Sequence, residues 1–440
     1  MKADTTVRGT IAPVLFALLL WATPCAAKGA KVQLLCVNPS SSACQPTIQD
    51  AVNKASRNAV ISVAAGHYHE NVTINGGAKP PKLTLAINGA GPGKTIVDAD
   101  QNGHVFEAGA NTTLTLSGMT IENGNTGTGA AAGGGVDFLG SALTISNCVI
   151  ADNTADLGGG VFVNAGTVTI VSSTLSDNLA SSDLDLPFSV ENSGGGLYSS
   201  GATKQTTITN STIADNNASL GGGAAISSRK LLIQNSAIID NAANPVLPPG
   251  GVGGISRNAL GGGLYIGKTT ATILNSTISD NSVTDNGEPT KLTSFGGGIQ
   301  NSGGKITINN VTIADNSADG GGGVRTVSGK SFVANNSIIA EDSSDDCEGI
   351  VTSAFSLILD PSGCTIKGST ITGKDPLLQS LALNPPGSTK TQALSNGSPA
   401  LKAGNPAKPT GKGKACMPTD QRGIKRPQKA CDLGAYQLSS

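Results

Sequence analysis

Apolar and polar positions alternate in short runs through the middle of this chain, and the runs recur. Six glycine triplets each open such a run, which closes on an Asp-Asn pair: Gly133–Gly135 to Asp152-Asn153, Gly158–Gly160 to Asp177-Asn178, Gly194–Gly196 to Asp215-Asn216, Gly221–Gly223 to Asp240-Asn241, Gly261–Gly263 to Asp280-Asn281 and Gly296–Gly298 to Asp315-Asn316. From first glycine to aspartate the intervals are 19, 19, 21, 19, 19 and 19 residues, whereas from aspartate to the next triplet they are 6, 17, 6, 21, 16 and 6. A constant half and a variable half predict a stacked unit with loops leaving from one corner. The cleanest copy is Thr207-Ile208-Thr209-Asn210-Ser211-Thr212-Ile213-Ala214-Asp215-Asn216. Its apolar positions recur at Ile145, Ile170, Ile208, Ile233, Ile273 and Ile308, and again at Ile150, Leu175, Ile213, Ile238, Ile278 and Ile313. Short β-branched runs broken by Gly and Asn, with no 3.6-residue period, predict strands. Asn147, Asn210, Asn235, Asn275 and Asn310 stand five residues before each aspartate, with Ser172 the exception. Asn tolerates left-handed backbone and suits a corner repeated in every coil. Stacked about 4.8 Å apart, these amides are expected to hydrogen-bond as a ladder. The expected fold is all-β, a right-handed parallel β-helix, with its repeats over residues 111–345.

The flanks read as closures of this solenoid. Residues 28–110 predict a cap and the first coils: Ile48, Ala51, Val52 and Ala55 fall on one helical face, and a short amphipathic helix there would cover backbone groups that otherwise recruit other chains. Residues 1–27 have the form of an export signal: Lys2 and Arg8, the apolar run Ile11–Ala22, then Cys25-Ala26-Ala27. That run is too short to span a bilayer. The mature chain is expected to be secreted, with no transmembrane segment. Residues 346–440 predict a C-terminal cap. Cys36/Cys44, Cys347/Cys364 and Cys416/Cys431 are sequence neighbours near the ends, where an exported solenoid is expected to be stapled by disulfides. Cys148 stands where other repeats carry Ser211, Ser236 and Ser276, and reads as an isolated, inert thiol.

Composition narrows the partners. Charged residues make up 13% and the net charge is −1, so no nucleic-acid or membrane-surface field is expected.

Three stretches carry family resemblances. Gly66-His67-Tyr68-His69-Glu70-Asn71-Val72, following the helical stretch, resembles the opening of pectate-lyase-like β-helix proteins, including pectin methylesterases. Gly-Gly-Gly with Val, Leu or Ile, then Ile-x-Asp-Asn, is similar to the repeats of polymorphic outer-membrane proteins, although those prefer Gly-Gly-Ala and Phe-x-x-Asn and are followed by a membrane barrel. Gly397-Ser398-Pro399-Ala400, Ala403-Gly404, Asp420-Gln421-Arg422-Gly423, Arg426-Pro427 and Cys431-Asp432-Leu433-Gly434-Ala435-Tyr436 resemble the closing domain of bacterial choice-of-anchor proteins. With only Gln437-Leu438-Ser439-Ser440 after it, release is expected rather than anchoring. These resemblances imply architecture more than activity.

Candidate chemistry is sparse. Relatives in the pectate-lyase-like group work with carboxylates and Gln, Arg or Lys projecting from adjacent coils. Asp137-Phe138-Leu139-Gly140 echoes the esterase aspartate motif, but no partner Gln-Asp or Gly-Arg-Pro-Trp segment occurs. The Asp-Asn pairs repeat in every coil and read as corners. His67 and His69 alternate onto one strand face, but no third metal ligand is evident, so no metal site is expected there. The acidic run Glu341, Asp342, Asp345, Asp346 and Glu348 could hold calcium but reads first as a solvated loop; no other cofactor is expected. Asp420 and Arg422 are expected to pair within the cap.

One file of residues suggests binding. Two positions after each triplet, strand alternation points the side chain outward: Asp137, Phe162, Tyr198, Ala225, Tyr265, Gln300 and Arg325. This file borders the loops Leu179–Ser193, Ala242–Leu260 and Ser282–Phe295. Phe162, Tyr198 and Tyr265 are expected to stack on sugar faces, with Gln300 and Arg325 fixing hydroxyls or carboxylates. The favoured reading is a secreted, monomeric, non-catalytic surface or adhesion-type module that binds an extracellular polysaccharide or a cell-surface component. The alternative is a polysaccharide lyase acting on uronic-acid polymers.

Overall fold

Each repeat closes one turn of a cylinder because two left-handed residues bend the chain at fixed points. In the coil that starts at Gly158, strands Val161–Val163, Thr167–Val171 and Thr174–Ser176 are followed by a two-residue strand, Leu179–Ala180. Ser172 (φ 49°) and Asp177 (φ 57°) make the two bends, and the same two positions are left-handed in every repeat. The structure, a computed structural model, describes residues 31–75, 82–127, 132–181, 192–244, 259–284 and 294–438. The export signal and most of the three long loops lie outside the described residues.

The coils stack in parallel register. Ile145 lies over Ile170, Ile170 over Ile208, Ile208 over Ile233, Ile233 over Ile273 and Ile273 over Ile308. A second file, from Ile150 through Leu175 to Ile313, is built the same way. Both files are fully buried, and each such side chain contributes about 1.5–3 kcal/mol by leaving water. Parallel pairing from coil to coil around these inward files is the expected β-helix.

The amide ladder forms, but with other residues than expected. The left-handed asparagines point outward. The ladder belongs to the Asn after each Asp, which turns inward and is buried. Nδ2 of Asn153, Asn178, Asn216, Asn241 and Asn281 donates to Oδ1 of the next coil's Asn at 2.9–3.0 Å. Each amide also reaches backbone carbonyls, as Asn216 does to Leu175 at 3.0 Å and Ala214 at 2.8 Å. A buried amide must satisfy all its donors, and a stack of coils supplies the acceptors at a fixed spacing. The ladder starts where the Gly124 N–H donates to Asn153 Oδ1 and ends on Asp342 Oδ1, which accepts from Asn316. The outward corner asparagines are spent elsewhere. Asn235 to Asn210, at 3.2 Å, is the one ladder link among them within the described residues.

The glycine triplet is a point of coil-on-coil contact. At Gly222 a Cβ would lie 2.2 Å from the Ala242 carbonyl oxygen, and at Gly223 it would lie 2.7 Å from that of Gly263. Only a residue without a side chain lets neighbouring backbones approach this closely.

At the N-terminal end, β1 (Gln33–Val37), α1 (Ile48–Lys54), β2 (Asn58–Val63), β3 (Gly66–His69), β4 (Val72–Ile74), β5 (Leu83–Asn88) and β6 (Thr95–Asp98) form the first coils. Thr47 caps α1 by accepting from the Asp50 N–H, and the Glu70 carboxylate accepts from Ile48 and Gln49 at 2.8 and 2.9 Å. Ile48, Ala51 and Val52 are buried against the core, as the helical face predicts.

At the other end, Cys347–Ile358 and Cys364–Thr372 extend the parallel stack. The chain beyond residue 373 is less an end plug than a strap folded back along the solenoid. Asn275 donates to the Thr419 carbonyl, Thr277 to Gln421, and Asn310 accepts from the Met417 N–H, all at 2.8 Å. The outward corner amides, free of ladder duty, are what hold it. Asp420 and Arg422 pair there at 2.7 Å, both buried, with Arg422 over the Tyr436 ring.

The three expected disulfides are present: Cys36 to Cys44, Cys347 to Cys364 and Cys416 to Cys431. They do not all staple in the same way. Cys347 and Cys364 open the last two strands of the stack, so their bond joins one coil to the next. At the N-terminal end the expected Cys36–Cys44 bond is local. Cys44 lies in the irregular segment between β1 and α1, outside any strand and only half-buried, and is joined to Cys36 of β1 across a separation of 8 residues. The Gln45 N–H donates to the Cys36 carbonyl at 2.8 Å beside it. The Cys44 bond therefore closes a local turn that leads the chain into the capping helix, while β1 pairs in parallel with β2. Cys148 is free and buried.

Candidate functional site

The outward file is aligned by strand pairing. Thr73, Glu107, Asp137, Phe162, Tyr198, Ala225, Tyr265, Gln300, Arg325 and Glu348 are successive cross-coil partners. Outward does not mean exposed, however. Phe162 is 8% exposed and Gln300 1%, so neither offers a surface to a ligand. Coils about 4.8 Å apart press successive side chains of one file against each other. Phe162 and Tyr198 stack with centroids 5.4 Å apart. Arg325 pairs with Glu348 at 3.0 Å and lies over the Phe295 ring, so its charge is already answered. Tyr198 and Tyr265 remain partly exposed on either side of the small, buried Ala225.

Within the file, next to Glu107, Asp137 has no hydrogen-bond partner for its buried Oδ1. Burial, with the Glu107 charge adding to it and His104 opposing, pushes its carboxyl up to about 6.

A second grouping overturns the expectation that no third ligand accompanies His67 and His69. Strand β3 pairs with β6 so that His69 faces Asp98 on the next coil. His67 Nε2 lies 3.0 Å from Asp98 Oδ2, His69 Nδ1 lies 2.9 Å from Asp100 Oδ1, and the imidazoles stack at 4.3 Å. Among the described residues, His67, His69 and Asp98 are the group whose donor atoms come within 4.8 Å of one another. Burial raises the Asp98 pKa, but hydrogen bonds from the Asp100 N–H, Asn123 and His67 outweigh it and hold the carboxyl below its ordinary value. Sequence distance hid the third member, since β6 reaches β3 only through a full coil. The offset of Gly66 to Thr95 was the signal that could have found it.

The acidic run near residue 345 does not converge in this way. Asp342 ends the amide ladder, the Asp345 carboxylate accepts from the Gly321 N–H at 2.6 Å, Asp346 accepts from Asp342 and Asp360, and Glu348 pairs with Arg325.

Stacked coils with inward isoleucine files, flanked by a capping helix and a strap, define a right-handed parallel β-helix protein. A protein-family model described as "Right handed beta helix region" matches residues 140–338. No curated protein matches the chain. Among solved structures, pectate lyase Pel9A is similar at 16% identity, with 94% of this chain and 97% of that chain covered and a TM-score of 0.54. XylC in complex with xylose is similar at 10% identity, with 93% and 98% covered and a TM-score of 0.52. Pectin methylesterase from carrot aligns at 13% identity over 78% and 90%, with a TM-score of 0.36. Likeness at these identities is a likeness of fold.

Proposed function

We propose that the protein is an exported, non-catalytic surface module that binds an extended polysaccharide or a cell-surface component along the outward strand file. The observation that carries this reading is the alignment of Tyr198 and Tyr265 in one register file, two coils apart, with the small Ala225 between them. Rings held on a rigid sheet contribute contact area at little entropic cost, and sugar faces stack on them. Three disulfides support the proposed export, since such bonds persist in oxidising compartments. The polymorphic outer-membrane-like repeats and the choice-of-anchor-like strap fit a surface-associated role.

A second reading, a polysaccharide-processing enzyme, draws on Asp137. A half-buried carboxyl with a pKa of about 6 beside Glu107 and His104 has the poise of a general acid or base. One experiment separates the two. Tyr198→Ala with Tyr265→Ala should reduce glycan-array signal at least 10-fold while leaving the unfolding midpoint unchanged, and uronic-acid polymers incubated with the wild type should yield no unsaturated products. Unchanged array binding removes the tyrosine file as the binding surface. Ultraviolet-absorbing products that vanish in Asp137→Asn would establish the enzyme.

A further inference from the structure

The outer face of β3 carries a grouping that polymer binding does not use. In Gly66-His67-Tyr68-His69-Glu70-Asn71-Val72 the positions that resemble a family motif are spent on the fold. Tyr68 is buried and donates to the Ala64 carbonyl at 3.0 Å, Glu70 holds α1, Asn71 donates to the His104 carbonyl at 2.7 Å, and Val72 is in the core. His67 and His69, with side chains 45% and 53% exposed, support nothing inside. The chain has 3 histidines, so two of them stacked on one face is a concentration the scaffold does not need.

We propose that His67, His69 and Asp98 bind one divalent transition-metal ion of the zinc class. Their donor atoms already lie within 4.8 Å of one another, and small rotations of the exposed rings bring them onto a common ion at about 2.0–2.2 Å. Two imidazoles and a carboxylate suit zinc, nickel or copper, whereas calcium and magnesium prefer oxygen ligands alone. The surroundings pre-orient the donors. Asp100 lies against His69 Nδ1 through both carboxylate oxygens, at 2.9 and 3.0 Å. With Nδ1–H donating to it, Nε2 is left for the metal, the usual arrangement for an oriented ligand histidine. The Asp100 N–H donates to Asp98 Oδ1 at 2.8 Å, leaving Oδ2 facing His67. Glu122, the register partner of Asp98 on the next coil, is placed to add negative charge. Three protein ligands leave coordination positions open to water or an exogenous ligand.

The test is calorimetric titration of the metal-stripped full chain with zinc chloride, repeated in excess calcium chloride. One zinc per chain is expected, undiminished by calcium. His69→Ala and Asp98→Asn should each weaken binding at least 10-fold, and Asp100→Asn by about 10- to 100-fold through lost orientation. His104→Ala should leave it unchanged. Cobalt(II) provides an independent readout, because visible d–d bands should appear with the wild type and disappear with His67→Ala even if stability shifts. Absence of zinc binding, or affinity that survives both His69→Ala and Asp98→Asn, overturns the proposal, as does a loss in His104→Ala equal to that in His69→Ala.

Discussion

At the scale of single residues, the buried asparagines carry a load out of proportion to their size. Asn216 donates to two backbone carbonyls and to Asn241, and its own oxygen accepts from Asn178. Asn216→Ala removes the acceptor of the Asn178 N–H and Nδ2 and the donor to the Leu175 and Ala214 carbonyls in a dry interior, at about 1–3 kcal/mol for each group left unsatisfied. A loss of about 3–4 kcal/mol is expected by urea denaturation. Asn235→Ala, which removes one exposed link, should change stability by under about 0.5 kcal/mol. Equal losses would show that the inner amides do not form the ladder described. The two asparagines are indistinguishable as letters, and their roles were legible only in part. The sequence marks both as periodic, but a shift of one position along a bend decides which amide faces the core. The place of Cys148 was legible: it is free and buried, its backbone N–H joins the serine file through Ser173 at 3.1 Å, and burial pushes its thiol up to about 11.

At the scale of elements, the corner aspartates form a file of like charge. Asp152, Asp177, Asp215, Asp240, Asp280, Asp315 and Glu341 occupy one left-handed position per coil. Burial raises Asp152, Asp215, Asp240 and Asp315, and their neighbours in the file raise them further, with Lys390 opposing at Asp215 and Asp240. Glu341 is pushed up to about 7 and Asp346 to about 6, burial leading in both. For a carboxyl whose folded pKa is raised, the native state keeps protons that the unfolded chain has already released. The contribution is therefore full below about pH 4 and is lost as pH rises through the folded values. From these groups, the urea midpoint should fall between about pH 4.5 and 7.5, and salt at the upper pH should recover part of it. Glu341→Gln should flatten the upper portion of the curve. A midpoint that rises steadily across that range would contradict the file as described. The repeat made the aspartates visible, but only the stacking brings each within reach of the next.

At the scale of the whole molecule, a solenoid must close its ends and protect its sides. Glu70 pins α1 over the first coil through two backbone N–H groups. Hydrogen bonds to a charged group contribute about 1.5–3 kcal/mol each, and an uncovered coil is an edge open to other chains. Glu70→Ala is expected to lower stability by about 3 kcal/mol and to move material from monomer to larger species in light scattering. A variant that stays monomeric would assign the covering role to β1 rather than the helix. The strap protects the side, and its position was not legible. The Asp420–Arg422 pair and the bonds of Cys36 to Cys44 and Cys416 to Cys431 could be anticipated from closeness in sequence. Which of the three bonds joins one coil to the next was not visible, because that depends on how the strands stack. Attachment of the strap to Asn275 and Asn310, more than a hundred residues earlier, was equally hidden.

What the chain determines by itself is everything periodic: the coil, the inward isoleucines, the glycine contacts, the left-handed bends and the neighbouring cysteine pairs. Each follows from local backbone preference and from alternation, which repeat whenever the letters repeat. What only the tertiary structure decided is whatever depends on the offset between coils. Strand register placed Asp98 beside two histidines, buried Gln300 and Phe162 in a file that points outward, and chose the inner asparagine for the ladder. Loop lengths between repeats differ, so the distance along the chain carries no fixed relation to the distance in space until the coils are stacked.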